Sequence, residues 1–185
     1  MVVARHGRTA WNVAGRYQGQ ADPDLDAEGR TQAERLAAEL AGLPAGRVVS
    51  SDLRRARHTA RPVARALGLA LVVDPRLREV DVGPWEGLTP AEAAAAFPAE
   101  HAAWQTGEDV ARGGWETTPE AGSRAAAAIV GHAAELDAGQ ALVVVSHGLV
   151  LRATLRRLRA DGLADLADDP PHLANASWID VPLRI

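Results

Sequence analysis

Short apolar runs alternate along this chain with longer segments in which apolar residues recur at helical spacing. The first pattern predicts buried strands and the second predicts amphipathic helices. Five strands are predicted, at residues 2–4, 47–50, 69–73, 141–145 and around 178–181. Helices are predicted over about 26–42, 52–67, 118–137 and 148–161, with a short one from Pro90. Three longer stretches, residues 8–21, 77–89 and 99–118, are predicted to be loops or irregular structure, and Pro170-Pro171 marks another loop.

Residues at the segment ends support these boundaries. Asp26 suits the N-cap of the first helix, and Gly68 suits the end of the second. Thr89 and Pro90 suit the cap and first turn of the short helix. Strands that alternate with helices are typical of a parallel sheet covered on both faces. We therefore predict a three-layer α/β/α sandwich with a mostly parallel sheet, in one domain over residues 1–185.

Composition narrows the class of protein. The chain is 47% hydrophobic and 24% charged, as in ordinary globular domains, and its net charge of -4 argues against nucleic-acid binding. No apolar stretch approaches the ~20 residues that span a bilayer, and the first strand begins too early for a signal peptide. With no cysteine there is no disulfide and no thiolate metal site, so we expect a cytoplasmic protein that does not contact membranes.

Histidines follow two of the predicted strands. Arg5-His6-Gly7 comes after residues 2–4, and Ser146-His147-Gly148 comes after residues 141–145. Ligands of open α/β sheets bind at the carboxyl edge, where the ends of parallel strands meet. A histidine beside a fixed cation, with glycine removing side-chain bulk, is chemically suited to attack phosphorus. These residues alone leave a purely structural role for both histidines open.

Two further segments offer groups that bind phosphate. Asn12 and Gln18 supply neutral amide donors on the loop after the first strand. Residues 50–60 run from a strand into a helix, whose N-terminus attracts anions. One arginine there could add a bidentate contact to phosphate. All 20 basic residues of the chain are arginine, so an isolated arginine is weak evidence.

Acidic residues occur within the predicted loop 77–89. Cleavage of a phosphate ester needs a proton for the leaving alcohol, and a partly buried carboxyl group is a reasonable donor. Glu79, Asp81 and Glu86 are the three candidates, and chemistry alone does not choose among them.

In this order, the segments resemble the histidine phosphatase superfamily, and the resemblance extends from Val2 to Trp178. The motifs that carry it are Arg5-His6-Gly7, Ser50-Ser51-Asp52-Leu53-Arg54-Arg55-Ala56, Leu77-Arg78-Glu79, Gly83-Pro84-Trp85-Glu86-Gly87 and Ser146-His147-Gly148. The resemblance implies that His6 becomes phosphorylated and that Glu79 is the proton donor. It implies that the rest of the phosphate pocket is Arg5, Arg55 and His147, with accessory substrate contacts from Asn12, Gln18, Gly19 and Gly148.

The same resemblance implies a reaction. It is hydrolysis of a phosphomonoester in two displacements, without a metal or an organic cofactor, on a small metabolite such as a sugar phosphate or a phosphoglycerate. A cofactor-dependent phosphoglycerate mutase is the alternative that uses the same residues. A non-catalytic binding domain that retains the fold is the alternative from another class. A metal site built on His6 and His147 lacks carboxylate or thiolate ligands at suitable spacing.

Other residues are given lesser roles. Those outside the implied catalytic set are expected to be structural: Arg54, Arg57, Asp81, Glu86, His101, His132 and His172. His58 lies one turn from Arg55, and a direct role for it stays open.

The substrate is not determined by these motifs. Gly113-Gly114-Trp115-Glu116-Thr117 stands where relatives often carry Gly-Gly-Glu-Ser beside the substrate. Residues 83–118 are expected to form the pocket roof, with candidates Trp85, Phe97, Trp104, Arg112 and Trp115. An edge strand near the C-terminus could pair between subunits of a homodimer.

Overall fold

A five-stranded sheet, in the order β3-β2-β4-β1-β5, forms the centre of the molecule in a computed structural model. The structure describes residues 1–108, 110–112 and 115–184. The strands are β1 Val2–Arg5, β2 Ala45–Ser50, β3 Leu71–Val73, β4 Ala141–Ser146 and β5 Trp178–Asp180. The first four are mutually parallel, and β5 pairs antiparallel to β1 at one edge. The predicted mostly parallel sheet is therefore confirmed.

Helices cover both faces of this sheet. They are α1 Ala10–Val13, α2 Ala27–Leu40, α3 Arg54–Ala66, α4 Pro90–Ala96, α5 Pro98–Gln105, α6 Thr118–Ala133 and α7 Gly148–Ala160. Successive side chains of a strand point to opposite faces, so each strand serves two cores. In β4, Val143 and Val145 pack with α2 and α3, whereas Leu142 and Val144 pack with α6 and α7. These two cores and the sheet between them make the predicted three-layer sandwich.

A third, aromatic cluster lies apart from these two cores. Trp85 is fully buried at its centre, and Tyr17, Phe97 and Trp104 pack around it. Tyr17 comes from the loop after α1, and the other three side chains come from residues 85–104. The cluster therefore packs together segments that are not part of the sheet. It supports one wall of the pocket described below.

Several predicted boundaries were wrong. Residues 8–21 contain α1, a single turn held by a capping box between Thr9 and Asn12, too short for periodicity to reveal. Residues 99–118 contain most of α5, which carries His101 and Trp104 against the aromatic cluster. Helix α6 ends at Ala133 because the chain then turns to place β4 beside β2, with Ala141 N donating to Pro44 O at 2.8 Å.

Two other expectations concern membrane-spanning helices and the segment at Gly113-Gly114. No helix in residues 1–108, 110–112 and 115–184 is long and apolar enough to cross a membrane. Gly113 and Gly114, which were expected beside the substrate, lie outside the described residues.

Candidate active site

The two motif histidines meet at the carboxyl edge of the sheet. Strands β1 and β4 are neighbours in register, with Arg5 opposite Ser146, so the next residue of each strand is a histidine. His6 N donates to Ser146 O at 2.9 Å, and the two imidazole centroids are 5.2 Å apart. Both rings are buried, with His6 3% exposed and His147 0% exposed. Strand register therefore places both rings in one buried site.

The His6 ring has a defined tautomer. Its Nδ1 lies 2.7 Å from Gly7 O, and a carbonyl oxygen can only accept, so Nδ1 carries the proton. Burial lowers the pKa of His6 well below its ordinary value of 6.5, and the Arg55 and Arg5 charges lower it further. His6 is therefore neutral at physiological pH, with a lone pair on Nε2.

His147 has the opposite tautomer. Its Nδ1 accepts a 3.1 Å hydrogen bond from Arg55 Nε, so the proton of the neutral ring is on Nε2. Burial, and then the Arg55 charge, lowers the pKa of His147 well below its ordinary value. The Nε2–H group is buried and has no hydrogen-bond partner among the described residues. Since buried donors are normally hydrogen-bonded, we expect a bound ligand to supply the acceptor for this N–H group.

Arg55 is the fully buried cation of the site. It lies in the first turn of α3, donates to His147, and also donates to two carbonyl oxygens, Ala21 O at 2.6 Å and Gly19 O at 2.8 Å. Burial lowers the pKa of Arg55 to about 10, so the group is still charged at neutral pH. Three fixed acceptors leave its guanidinium little freedom.

Glu86 holds the loop that carries those carbonyls. Its Oε1 accepts from Gln20 N at 2.6 Å and from Ala21 N at 2.8 Å. Gly19 has φ +50°, and a Cβ there would come within 2.6 Å of Glu86 Oε1. The expected structural role of Glu86 thus has a specific form, because Glu86 fixes the peptide groups that orient Arg55.

Arg5 provides the second cation. Its Nη1 donates to Leu173 O at 2.8 Å, and burial lowers its pKa from the ordinary value. Gly148 starts α7 beside this side chain, where an added Cβ would lie 3.3 Å from Arg5 Nε. Gly148 therefore makes room for Arg5, and it is not among the residues that line the pocket.

Glu79 sits at the N-terminus of α7. Its Oε1 accepts from Val150 N at 2.8 Å, and its Oε2 accepts from Leu149 N at 3.1 Å. Oε1 also accepts from the neighbouring Val80 N at 2.9 Å. The free N–H groups of a helix start are natural partners for a carboxylate. These N–H groups fix the Glu79 carboxyl group at the carboxyl edge of the sheet, where His6 and His147 also lie.

Arg124, on α6, holds the segment that carries Glu79. Its guanidinium donates to Arg76 O at 2.7 Å, Arg78 O at 2.8 Å and Glu79 O at 2.9 Å. It also forms an ion pair with Glu116, whose Oε2 accepts from Asp81 N at 3.0 Å. Sequence reasoning missed Arg124 and Glu116, because their ion pair and their contacts to the backbone of residues 76–81 follow no motif spacing.

The predicted amide donors also line the pocket. Asn12 Oδ1 accepts from Thr9 N at 3.0 Å and from Asn175 Nδ2 at 3.2 Å. Gln18 Oε1 accepts from Thr9 Oγ1 at 3.2 Å. Since both oxygens are engaged, the NH₂ end of each side chain is the group left for an anion.

These groups surround a cavity of about 200 Å³. Its lining includes Arg5, His6, Asn12, Gln18, Gly19, Arg55, Glu79, Trp104, Arg112 and Leu149. Of the predicted roof residues, Trp104 and Arg112 line this cavity. Trp85 and Phe97 belong to the aromatic cluster, and Trp115 is 69% exposed against Gly83.

The remaining histidines have partners elsewhere. His58 Nδ1 lies 2.6 Å from Asp24 Oδ1, and His132 Nε2 lies 3.0 Å from Asp74 Oδ2. His101 packs on Trp85, and His172 contacts Arg152. Within the described part of the chain, no group of three or more His, Cys, Asp or Glu residues is arranged to hold a metal ion.

The arrangement suits a tetrahedral dianion next to a nucleophile. Two guanidinium groups, an imidazole N–H and two amides supply donors, and the neutral His6 Nε2 supplies a lone pair. Preorganised donors of this kind stabilise charge that develops in a transition state.

Known proteins are similar to this chain over most of its length. The family model of the histidine phosphatase superfamily (branch 1) matches residues 1–183. Glucosyl-3-phosphoglycerate phosphatase of Mycobacterium tuberculosis is 36% identical over 190 residues, which cover 96% of this chain and 82% of that protein. A probable phosphoglycerate mutase of Yersinia enterocolitica is 36% identical over 180 residues, covering 95% and 80%.

A solved structure has the same fold. Mycobacterial glucosyl-3-phosphoglycerate phosphatase in complex with VO3 matches with a TM-score of 0.82 and 35% identity, over 96% of this chain and 88% of that chain. The family predicted from the five motifs is confirmed by these matches. The chain belongs to the histidine phosphatase superfamily, branch 1.

Proposed function

We propose that this protein is a phosphatase that hydrolyses small phosphomonoesters through a phosphohistidine on His6. The observation that carries the proposal is the hydrogen bond from His6 Nδ1 to Gly7 O, 2.7 Å, in a buried neutral ring. It presents the Nε2 lone pair to a pocket that contains Arg5 and Arg55.

In the first step, His6 Nε2 attacks phosphorus in line. The N–P bond forms as the ester P–O bond breaks, and the leaving oxygen takes a proton from the Glu79 carboxyl group. Arg5, Arg55 and His147 Nε2–H donate to the non-bridging oxygens, where negative charge is spread in the transition state. Gly7 O stabilises the positive charge that develops on the phosphorylated ring.

In the second step, water attacks the phosphohistidine. The Glu79 carboxylate accepts a proton from that water, the N–P bond breaks, and inorganic phosphate is released. This regenerates neutral His6 and protonated Glu79. The cycle consumes only the ester and one water molecule.

The name of the mycobacterial relative makes glucosyl-3-phosphoglycerate the first substrate to test. The coarser expectation, a small phosphorylated metabolite, fits a cavity of about 200 Å³ lined by cationic and amide groups.

The experiment is a hydrolysis panel with EDTA present, for wild type and His6→Ala. The panel contains glucosyl-3-phosphoglycerate, 3-phosphoglycerate, hexose phosphates and an aryl phosphate. We expect inorganic phosphate from at least one ester with wild type, and less than a few per cent of that rate with His6→Ala. Conversion of 3-phosphoglycerate to 2-phosphoglycerate without release of phosphate would instead identify a mutase. Loss of activity on adding EDTA would contradict the metal-free reaction.

A further inference from the structure

A groove of about 570 Å³ lies beside the catalytic cavity. It is bounded by the start of α6, the end of α5, α7 from Leu149 to Arg157, and His172, and it shares two lining residues, Trp104 and Leu149, with the cavity of about 200 Å³. The catalytic chemistry above uses none of its space.

The groove borders the proposed proton donor through Leu149. Leu149 N donates to Glu79 Oε2 at 3.1 Å, so the residue that borders both spaces also touches the proposed proton donor. Because Glu79 protonates the leaving oxygen, the alcohol portion of the ester must lie on this side of the phosphate. This step rests on the proposed function.

The groove wall combines an apolar surface with fixed polar groups. Trp104 and Leu149 supply the apolar part, and Ser123 also lines this space. Charged side chains at its edge are Glu108, Arg156 and Arg157. Arg152 is held in place by Pro170 O, at 3.0 Å, and by Asp169 and His172. Sites for small ligands have this composition, a mostly apolar cleft with a few rigid polar groups.

This chemistry suits a sugar ring. The C–H face of a pyranose packs on an indole, and its hydroxyls pair with guanidinium, imidazole and hydroxyl groups. A simple three-carbon phosphate would leave the groove to water. We propose that the groove binds a hexose-sized polyhydroxylated part of the leaving alcohol, so that the preferred substrates are phosphomonoesters carrying such a group.

The test compares two esters that differ only in the hexose, namely 3-phosphoglycerate and its glucosyl derivative. Ser123 is exposed on α6 and lines the groove, so Ser123→Trp fills it without disturbing a core. Ala127 is exposed one turn later on α6 and does not line the groove, so Ala127→Trp is the matched control. Far-UV circular dichroism and thermal unfolding verify that both variants fold.

We expect wild type and Ala127→Trp to prefer the glucosyl ester in kcat/KM by about 10-fold or more. Ser123→Trp should lose that preference through a raised KM, with kcat/KM for 3-phosphoglycerate changed by less than about 2-fold. The groove assignment is overturned if Ser123→Trp keeps the preference or slows both esters equally. It is also overturned if wild type shows no preference while hydrolysing phosphomonoesters. Wild type that releases phosphate from no ester would instead contradict the proposed function itself.

Discussion

Arg124 donates a 2.9 Å hydrogen bond to the backbone carbonyl of Glu79. The same guanidinium binds two preceding carbonyls and the Glu116 carboxylate, so one side chain of α6 sets the backbone path of residues 76–79. Lysine cannot reproduce this contact set, because its three donors radiate from a single nitrogen.

Arg124→Lys should therefore misplace the proposed proton donor. A stable leaving anion needs little protonation, whereas an alkoxide needs a proton in the transition state. We expect kcat/KM to fall by about 10-fold or more for an alkyl phosphate, and by less than about 3-fold for dinitrophenyl phosphate. Steady-state kinetics on the two esters measure this difference.

The matched control is Arg65→Lys, since Arg65 forms an exposed ion pair with Glu34 and such pairs contribute little. This control should leave both rates within about 2-fold. An equal loss on both esters in Arg124→Lys would mean that Arg124 supports the fold and does not position Glu79.

Replacing Glu86 should lower kcat/KM equally on both esters, in contrast to Arg124→Lys. Glu86→Ala releases the N–H groups of Gln20 and Ala21, and with them the carbonyls that orient Arg55. Since the proposed role of Arg55 is to bind phosphate oxygens whatever the leaving group, kcat/KM should fall on alkyl and dinitrophenyl phosphate by the same factor, about 10-fold or more. Glu86→Gln retains an oxygen acceptor and should recover part of the loss. A loss confined to the alkyl ester would refute this role.

Gly19 should tolerate no side chain. Its φ of +50° strains any L-residue by about 1 kcal/mol, and a Cβ would also meet Glu86 Oε1 at 2.6 Å. Gly15 has a similar φ, +63°, with nothing within 4 Å of a Cβ, so Gly15→Ala carries the strain alone. Urea unfolding should give a larger loss for Gly19→Ala, accompanied by loss of activity. Equal losses of unfolding free energy in the two variants would show that the contact with Glu86 adds no destabilisation.

The two buried histidines should make stability depend on pH. Burial lowers the pKa of each below its ordinary value, 6.5, so below that pH the unfolded chain binds protons that the folded chain does not. Stability is then fully present above about pH 6.5 and falls as the pH drops, by about 1.4 kcal/mol per pH unit for each histidine.

Replacing one of the two histidines should flatten this dependence. His6→Asn is expected to reduce the slope of unfolding free energy between about pH 6 and 5 by close to one proton, measured by urea titration. A slope identical to wild type would mean that His6 is protonated in the folded protein.

The sequence was sufficient to predict the sandwich and the meeting of His6 with His147. Both follow from apolar runs that end in histidine, because parallel neighbours bring their carboxyl ends to one edge. The roles of Arg55 and Glu79 came from a family resemblance and stay predictions. The supports of the site could not be predicted, since Glu86 and Arg124 act on backbone groups distant in the chain. Helix α5 escaped prediction because its burial against Trp85, and not its own periodicity, stabilises it.

The direct test of the account is to trap the phosphoryl group during turnover. Wild type mixed with substrate and quenched within one turnover should carry phosphate that is labile to acid and stable to alkali. Peptide mass spectrometry should locate it on His6, and His6→Ala should carry none. Phosphate on another residue, or a burst of product with no phosphorylated enzyme, would contradict the central claim.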